Sequence, residues 1–409
     1  MIRHLRQAFN HNYTDAAYQH LLADLNRITR TELSIRVAET PVFLPQTMLQ
    51  QMIDAGAAMT HQLVSDTEYL QQAAATIPPA FRVANQSARP HFMTVDFGLV
   101  HTGDGSWQGD PATLEPRLVE LQAFPSVFGL QSLLGQLYCK HFNLSGSVAQ
   151  YPNDLDETTY WQLLRQTIVA DHDPANVVLL EVSPDQQKTL PDFHIHEDRL
   201  GIATVDIAHV RQRGRHLFYE RDGVETPIRR IYNRSIADEM VRKSIQPGFD
   251  LTADLDVEWA GHPNWYFLIS KFALPYLRHP FVPPAVFLSD FLNGRSRDRL
   301  SADRSQWVFK PLFSFAGKGI EFGPSDETLA AVPAAERANY LLQQRVAFTP
   351  TVDTPFGMTQ VEVRIMYVWP DGGDLQAIQT LTRLGRGAMM GVDHNRNQQW
   401  VGGSAGLIA

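Results

Sequence analysis

Apolar residues recur three and four positions apart through AAYQHLLADLNRI and LQQMIDAGAAMTHQLV. Residues 1–90 are therefore predicted to be mostly helical, around an extended break at residues 33–45. From His91 the period shortens to that of strands. HFMTVDFGLV and RLVELQAFPS flank a Gly/Asp/Pro-rich loop at residues 102–111, and a helix carrying Leu130, Leu133, Leu134 and Leu137 follows. Beyond a hydrophilic stretch at 151–156 the pattern alternates. A helix at 158–170, strand VVLLEV, a helix near 190–199, strand ATVDI and short strands around HLFYE and ETPIRRIYN predict a βαβ-type unit. In the last third, NWYFLISKFALPYLR reads as a helix carrying Lys271, WVFKPLFSFAGKGIEF as strand, loop and strand, and NYLLQQRV as a helix. VEVRIMYVW and LQAIQTLTRL read as strands joined by a Pro-Asp-Gly-Gly turn, before a polar closing segment, GVDHNRNQQWVGGSAG.

Several polar residues interrupt this pattern. Asp96 and Glu120 lie within apolar strands, where an acid is costly unless paired or metal-bound. Lys310 stands at a strand end ahead of a loop with Ser314, Ala316, Gly317 and Gly319. A point charge beside a small-residue loop suits an anionic phosphate. The Walker pattern is absent, since Gly317-Lys318-Gly319 lacks both the earlier glycine and the hydroxyl, and a plain β-hairpin with a glycine turn fits the same residues. The loop at 183–189, SPDQQKT, reads either as a ligand loop at a strand end or as a helix start capped by Thr189. Arg36 and Glu39 read as a surface ion pair. Arg364 reads as a functional cation or as the partner of Glu362, and the HNRNQQ run with Arg396 as a site segment or a polar turn.

Composition narrows the classes. The 409 residues are 44% hydrophobic and 19% charged, which suits a soluble globular chain of two or three packed units. A formal net charge of −9 and the lack of a basic cluster argue against a nucleic-acid partner. The one cysteine, Cys139, excludes an internal disulfide and reads as a core residue. No apolar run approaches the roughly 20 residues of a membrane span and the first residues lack an apolar leader core, so a cytoplasmic location is expected. The fifteen histidines show no zinc-type spacing, and His194 and His196 read as surface residues. No Ser/His/Asp or Cys/His set suggests a covalent nucleophile.

Taken in order, these pieces resemble the ATP-grasp enzymes, with an α/β fold. In that family a helix lysine, a strand Lys-Pro with a glycine-rich loop, a hinge, an acid-x-Arg strand and a polar Gly-Gly segment precede an Asp strand and a Glu-x-Asn strand. Here Asp96 and Glu120-Leu121-Gln122 come first, so the resemblance is to circularly permuted members, the glutathione synthetase-like and glutathionylspermidine synthetase-like proteins. It implies a helical region at 1–90, permuted metal-binding strands at 91–150, a preceding α/β substrate domain at 151–260 and nucleotide-binding subdomains at 261–409.

The resemblance also implies roles. ATP phosphates would meet Lys271, Lys310 and the loop residues Ser314, Gly317 and Gly319. Gln343, Gln344 and Val346 would form the adenine hinge. Mg²⁺ would lie on Asp96, Glu120 and Gln122, the last standing where the family has asparagine. Arg364, Arg396 and Asn397 would steady the transferring phosphoryl group. The implied activity joins a small-molecule or peptide carboxylate to an amine through an acyl phosphate. The alternatives are an ATP-binding regulatory protein without turnover, or a phosphotransferase acting on a hydroxyl.

Overall fold

In the computed structural model, which describes residues 1–313, 319–391 and 397–409, segments from both ends of the sequence share one sheet. The strand Phe92–His101 pairs on one side with Leu114–Gln122 and on the other with Gly357–Val368. The sheet continues through Gln376–Gly385 and Gly402–Ile408 to Val42–Leu44, and Val352–Thr354 adds to Gly357–Val368. All these pairs are antiparallel except the one made by Val42–Leu44.

Strand alternation gives this sheet two unlike faces. Val95, Phe97, Val361, Val363 and Ile365 point into the main core, beside Met48, Met52 and Met59 of the helix Gln46–Ser65. Asp96, Glu362 and Arg364 alternate with them and point the other way. Farther along the same strands that second face turns apolar, and Phe92, Met366 and Val368 pack with Tyr160, Leu164 and Phe193.

Those last residues belong to helices Glu157–Ile168 and Leu190–Leu200, which lie beside a parallel sheet ordered Glu258–Ala260, Arg230–Asn233, Val177–Glu181 and Ala203–Asp206. This is the expected βαβ unit, extended by a meander of Arg211–Arg213, His216–Arg221 and Val224–Ile228. A third, antiparallel sheet runs Ala285–Phe287, Tyr340–Gln344, Trp307–Pro311, Glu321–Phe322. The architecture is thus mixed α/β with several sheets.

Four expectations are corrected. NYLLQQ is strand, not helix: Leu341 faces the main core and Leu342 a satellite cluster, and a short apolar run buried on both sides carries no period of its own. Lys271 lies not in a continuous helix but in the turn Lys271–Ala273, which Ser270 caps by accepting the N–H of Phe272 at 3.3 Å, separate from the short helix Trp265–Leu268. His196 is buried rather than exposed, and burial lowers its pKa against the raising effect of Asp192. Arg36 and Glu39 do pair, at 2.5 Å, but mostly out of solvent, with Glu39 also accepting the Trp400 N–H at 2.7 Å. Among the described residues no helix is long and apolar enough to cross a membrane.

Candidate functional site

The charged half of the large sheet is built by register. Arg364 stands opposite Asp96, Asp96 opposite Glu120, and Glu362 opposite Arg383, so side chains from four adjacent strands meet on one face. Arg364 grips Asp96 through Nε to Oδ1 and Nη2 to Oδ2, both at 2.6 Å. Arg383 adds a bond from Nη1 to Asp96 Oδ2 at 3.2 Å and pairs closely with Glu362. Burial alone would raise the Asp96 carboxyl, but Arg364 and Arg383 outweigh it, and the group stays charged below its ordinary range.

One strand of this face carries an extra residue. Asp96 pairs with Glu120 and Phe97 with Leu118, which leaves Val119 unmatched in a β-bulge. The burial of its strand slips phase there, with Leu114, Pro116 and Leu118 buried, then Leu121. The carbonyl of Val119 faces the third sheet instead of a neighbouring strand. Lys310 Nζ lies 3.5 Å from it and donates at 2.7 Å to Gln343 Oε1. Lys310 is buried, and among the described residues both of these partners are neutral oxygens. Burial pulls its pKa down to about 8, although Glu120 acts to raise it.

Lys271 Nζ sits 3.7 Å from Glu120 Oε2, and Gln122 donates from Nε2 to Glu120 Oε1 at 3.0 Å. Lys271 and Gln122 edge a narrow cleft that residues including Tyr266, Leu312 and Phe313 complete. The structure therefore brings together Lys271, Lys310, Glu120, Gln122 and Gln343, with Asp96 and Arg364 on the same face. Gln343 meets Lys310 through its side chain. Gln344 is spaced away: its side chain accepts from Ser301 N at 3.2 Å and its N–H donates to Pro284 O at 2.8 Å. Val346 packs over Gly98. Gly319 has φ +71°, and a Cβ there would stand 3.0 Å from Pro311 Cγ, so both backbone and contact favour glycine. Asn397 lies in a turn before Gly402–Ile408. Ser314, Gly317 and Arg396 lie outside the described residues.

The sequence reading missed Arg383 and Arg234. Arg383 in LTRL carries the same signal as Asp96 and Glu120, a charge inside an apolar strand. Arg234 is buried and donates at 2.8 Å both to Asp192 Oδ2 and to the backbone oxygen of Ser126, which ties the βαβ unit to the charged face.

No family model matches the sequence, and no curated protein does. Among solved structures, the chain is similar to a glutathione synthetase-like effector from Globodera pallida, in its apo form. The TM-score is 0.52 and the identity 14%, over 90% of this chain and 95% of that one. The likeness is one of fold, a mixed α/β architecture shared over nearly the whole of both chains. The resemblance carried by the sequence motifs makes ATP and Mg²⁺ the groups to test against the residues present. An anionic phosphate fits the buried Lys310, whose ammonium rests on neutral oxygens. A hard cation fits the carboxylate of Glu120 and the amide oxygen of Gln122 in chemical type. It does not fit Asp96, whose two oxygens are engaged by Arg364. Among the described residues no group of three His, Cys, Asp or Glu side chains is arranged to hold a metal.

Proposed function

We propose that this protein is an ATP-dependent ligase that joins a carboxylate to an amine. The observation that carries the reading is the buried Lys310 beside Val119 and Gln343, a cation held among neutral oxygens where the two antiparallel sheets face each other. Burying an ammonium in that way is costly, and an incoming phosphate offsets the cost.

ATP, when bound, supplies the phosphoryl group that activates the carboxylate. Lys310 and Lys271 would hold its phosphates, and Glu120 with Gln122 would hold Mg²⁺. Asp96 acts on the reaction by holding Arg364 flat and fixed at the sheet surface, with its Nη1 3.3 Å from Ser126 Oγ. A guanidinium so held needs little reorganisation to meet developing charge. The completion of the 357–408 strands by the 92–122 strands supports a circularly permuted ATP-grasp arrangement.

Isothermal titration with a non-hydrolysable ATP analogue, with and without Mg²⁺, tests this reading on the wild type, Lys310→Ala and Glu120→Ala. The expected result is binding that Lys310→Ala weakens at least tenfold and that Glu120→Ala frees of its Mg²⁺ dependence. Absence of binding, or two variants indistinguishable from wild type, rejects it. The saturation of Asp96 by arginines favours a second reading, a nucleotide binder without turnover. ADP formation with any carboxylate and amine pair would eliminate that one.

A further inference from the structure

We propose that a cavity beside the charged face binds the apolar side chain of a carboxylic acid whose carboxylate sits on Arg383. The inference deepens the ligase reading by naming the class of its acid substrate, and rests on that reading for the acid being consumed. The cavity measures about 160 Å³ and lies between helices Asp15–Thr29 and Phe128–His141, the segment at 33–37 and the strands Gln376–Gly385 and Gly402–Ile408. Leu25, Ile35, Val37, Leu130, Leu134 and Leu381 form its walls.

Size and chemistry together define the occupant. An apolar cavity of about 150 Å³ accepts benzene, so this one has room for a phenyl ring or a leucine-sized chain. A charged or strongly hydrated side chain would lose its water there without replacement. The polar end is formed by Arg383 and Ser126. Arg383 reaches Asp96 and Glu362 through Nη1 in both cases, so its Nε and Nη2 are engaged by neither acid. Ser126 Oγ lies 3.3 Å from Arg364 Nη1 and keeps a proton to donate.

Of Lys271, Lys310, Arg364 and Arg383, it is Arg383 that lines the cavity and so is placed to take the carboxylate. A carboxylate on Arg383 lies on the sheet face that also carries Glu120, two strands beyond Glu362, and so on the side where Lys310 approaches. Gln131 at the cavity wall is already committed, donating to Thr380 O at 3.0 Å and Ser404 O at 3.2 Å, and so offers no further donor from Nε2 in these directions.

The test is calorimetric titration of the whole protein, without nucleotide, with acetate, 4-methylpentanoate, 3-phenylpropanoate and 3-phenylpropan-1-ol. Each buried methylene is worth about fourfold in affinity. On that basis 4-methylpentanoate should bind about two hundredfold tighter than acetate, and the alcohol should bind at least tenfold more weakly than the phenyl acid. Leu134→Trp, which fills the cavity, should bring both long acids down to the level of acetate. Should circular dichroism show that variant unfolded, Ile35→Trp at the half-buried edge replaces it. Equal binding of long and short acids, or insensitivity to a folded filling variant, overturns the proposal. Acid binding in a protein that fails to bind the ATP analogue would reject the ligase and keep the cavity assignment. The reverse pattern would reject the cavity and keep the ligase.

Discussion

Asp96 and Arg364 face each other across neighbouring strands, with both carboxylate oxygens 2.6 Å from guanidinium nitrogens and both side chains largely out of solvent. Breaking a buried pair on one side leaves an uncompensated charge. Asp96→Ala and Arg364→Ala are each expected to lower unfolding stability by about 3–5 kcal/mol. The double replacement Asp96→Ala with Arg364→Ala should cost well under the sum of the two single changes. Urea denaturation of the four proteins closes the cycle, and simple additivity would show that the pair does not act as a unit.

Lys310 gives the site a pH dependence of definite sign. The folded chain releases its proton near pH 8 and an ordinary lysine near 10.5, so in that window the unfolded chain holds the more protons and stability rises with pH. Binding of tripolyphosphate needs the ammonium and runs the opposite way. Affinity should fall above pH 8, approaching about tenfold per pH unit. Lys310→Met should bind weakly at every pH and lose that slope, as titration at pH 7, 8 and 9 would reveal.

Glu181, at the end of its parallel strand, shows the mirror case. Burial, opposed by Arg234, lifts its carboxyl from 4.5 to about 8. Between those values the folded chain holds the more protons, so stability falls as pH rises. Glu181→Gln removes the titration. Its melting temperature should exceed that of the wild type at pH 9 and converge with it near pH 5, and parallel curves across that range would disprove the assignment.

Gly402 has φ +125°, and a Cβ there would lie 2.4 Å from the backbone oxygen of Arg36. Neither atom can give way without separating the two segments, which are joined by Gly403 N to Arg36 O at 2.8 Å and Ala38 N to Gly403 O at 2.9 Å. Gly402→Ala should therefore destabilise by about 1–3 kcal/mol, read from thermal unfolding, and a neutral outcome would contradict the close approach.

Much of the fold follows from periodicity, and the departures have physical causes. The amphipathic repeat of Gln46–Ser65 is visible because the helix has one buried side, and the alternation of Phe92–His101 because its core face is apolar while its other face carries Thr94, Asp96 and Gly98. Tyr340–Gln344 is buried on both sides, which erases the alternation and left it indistinguishable from a helix. In the site, Lys310, Asp96 and Glu120 were legible because a charge in an apolar run demands a partner. The partners themselves were not legible. Whether Asp96 meets a cation or a metal depends on Arg364 and Arg383, which arrive on other strands, and cross-strand register is set by the whole sheet rather than by any local stretch.

The bulge at Val119 separates two kinds of sequence constraint. Its side chain belongs to none of the buried clusters, while its carbonyl serves Lys310 and Gln343. Removing the residue would keep Leu118 and Leu121 on the core side and Glu120 on the other, but it would take away the carbonyl that Lys310 and Gln343 meet. In a deep mutational scan this position should therefore look permissive to substitution and intolerant of deletion: what is kept there is the length of the chain, not its letter.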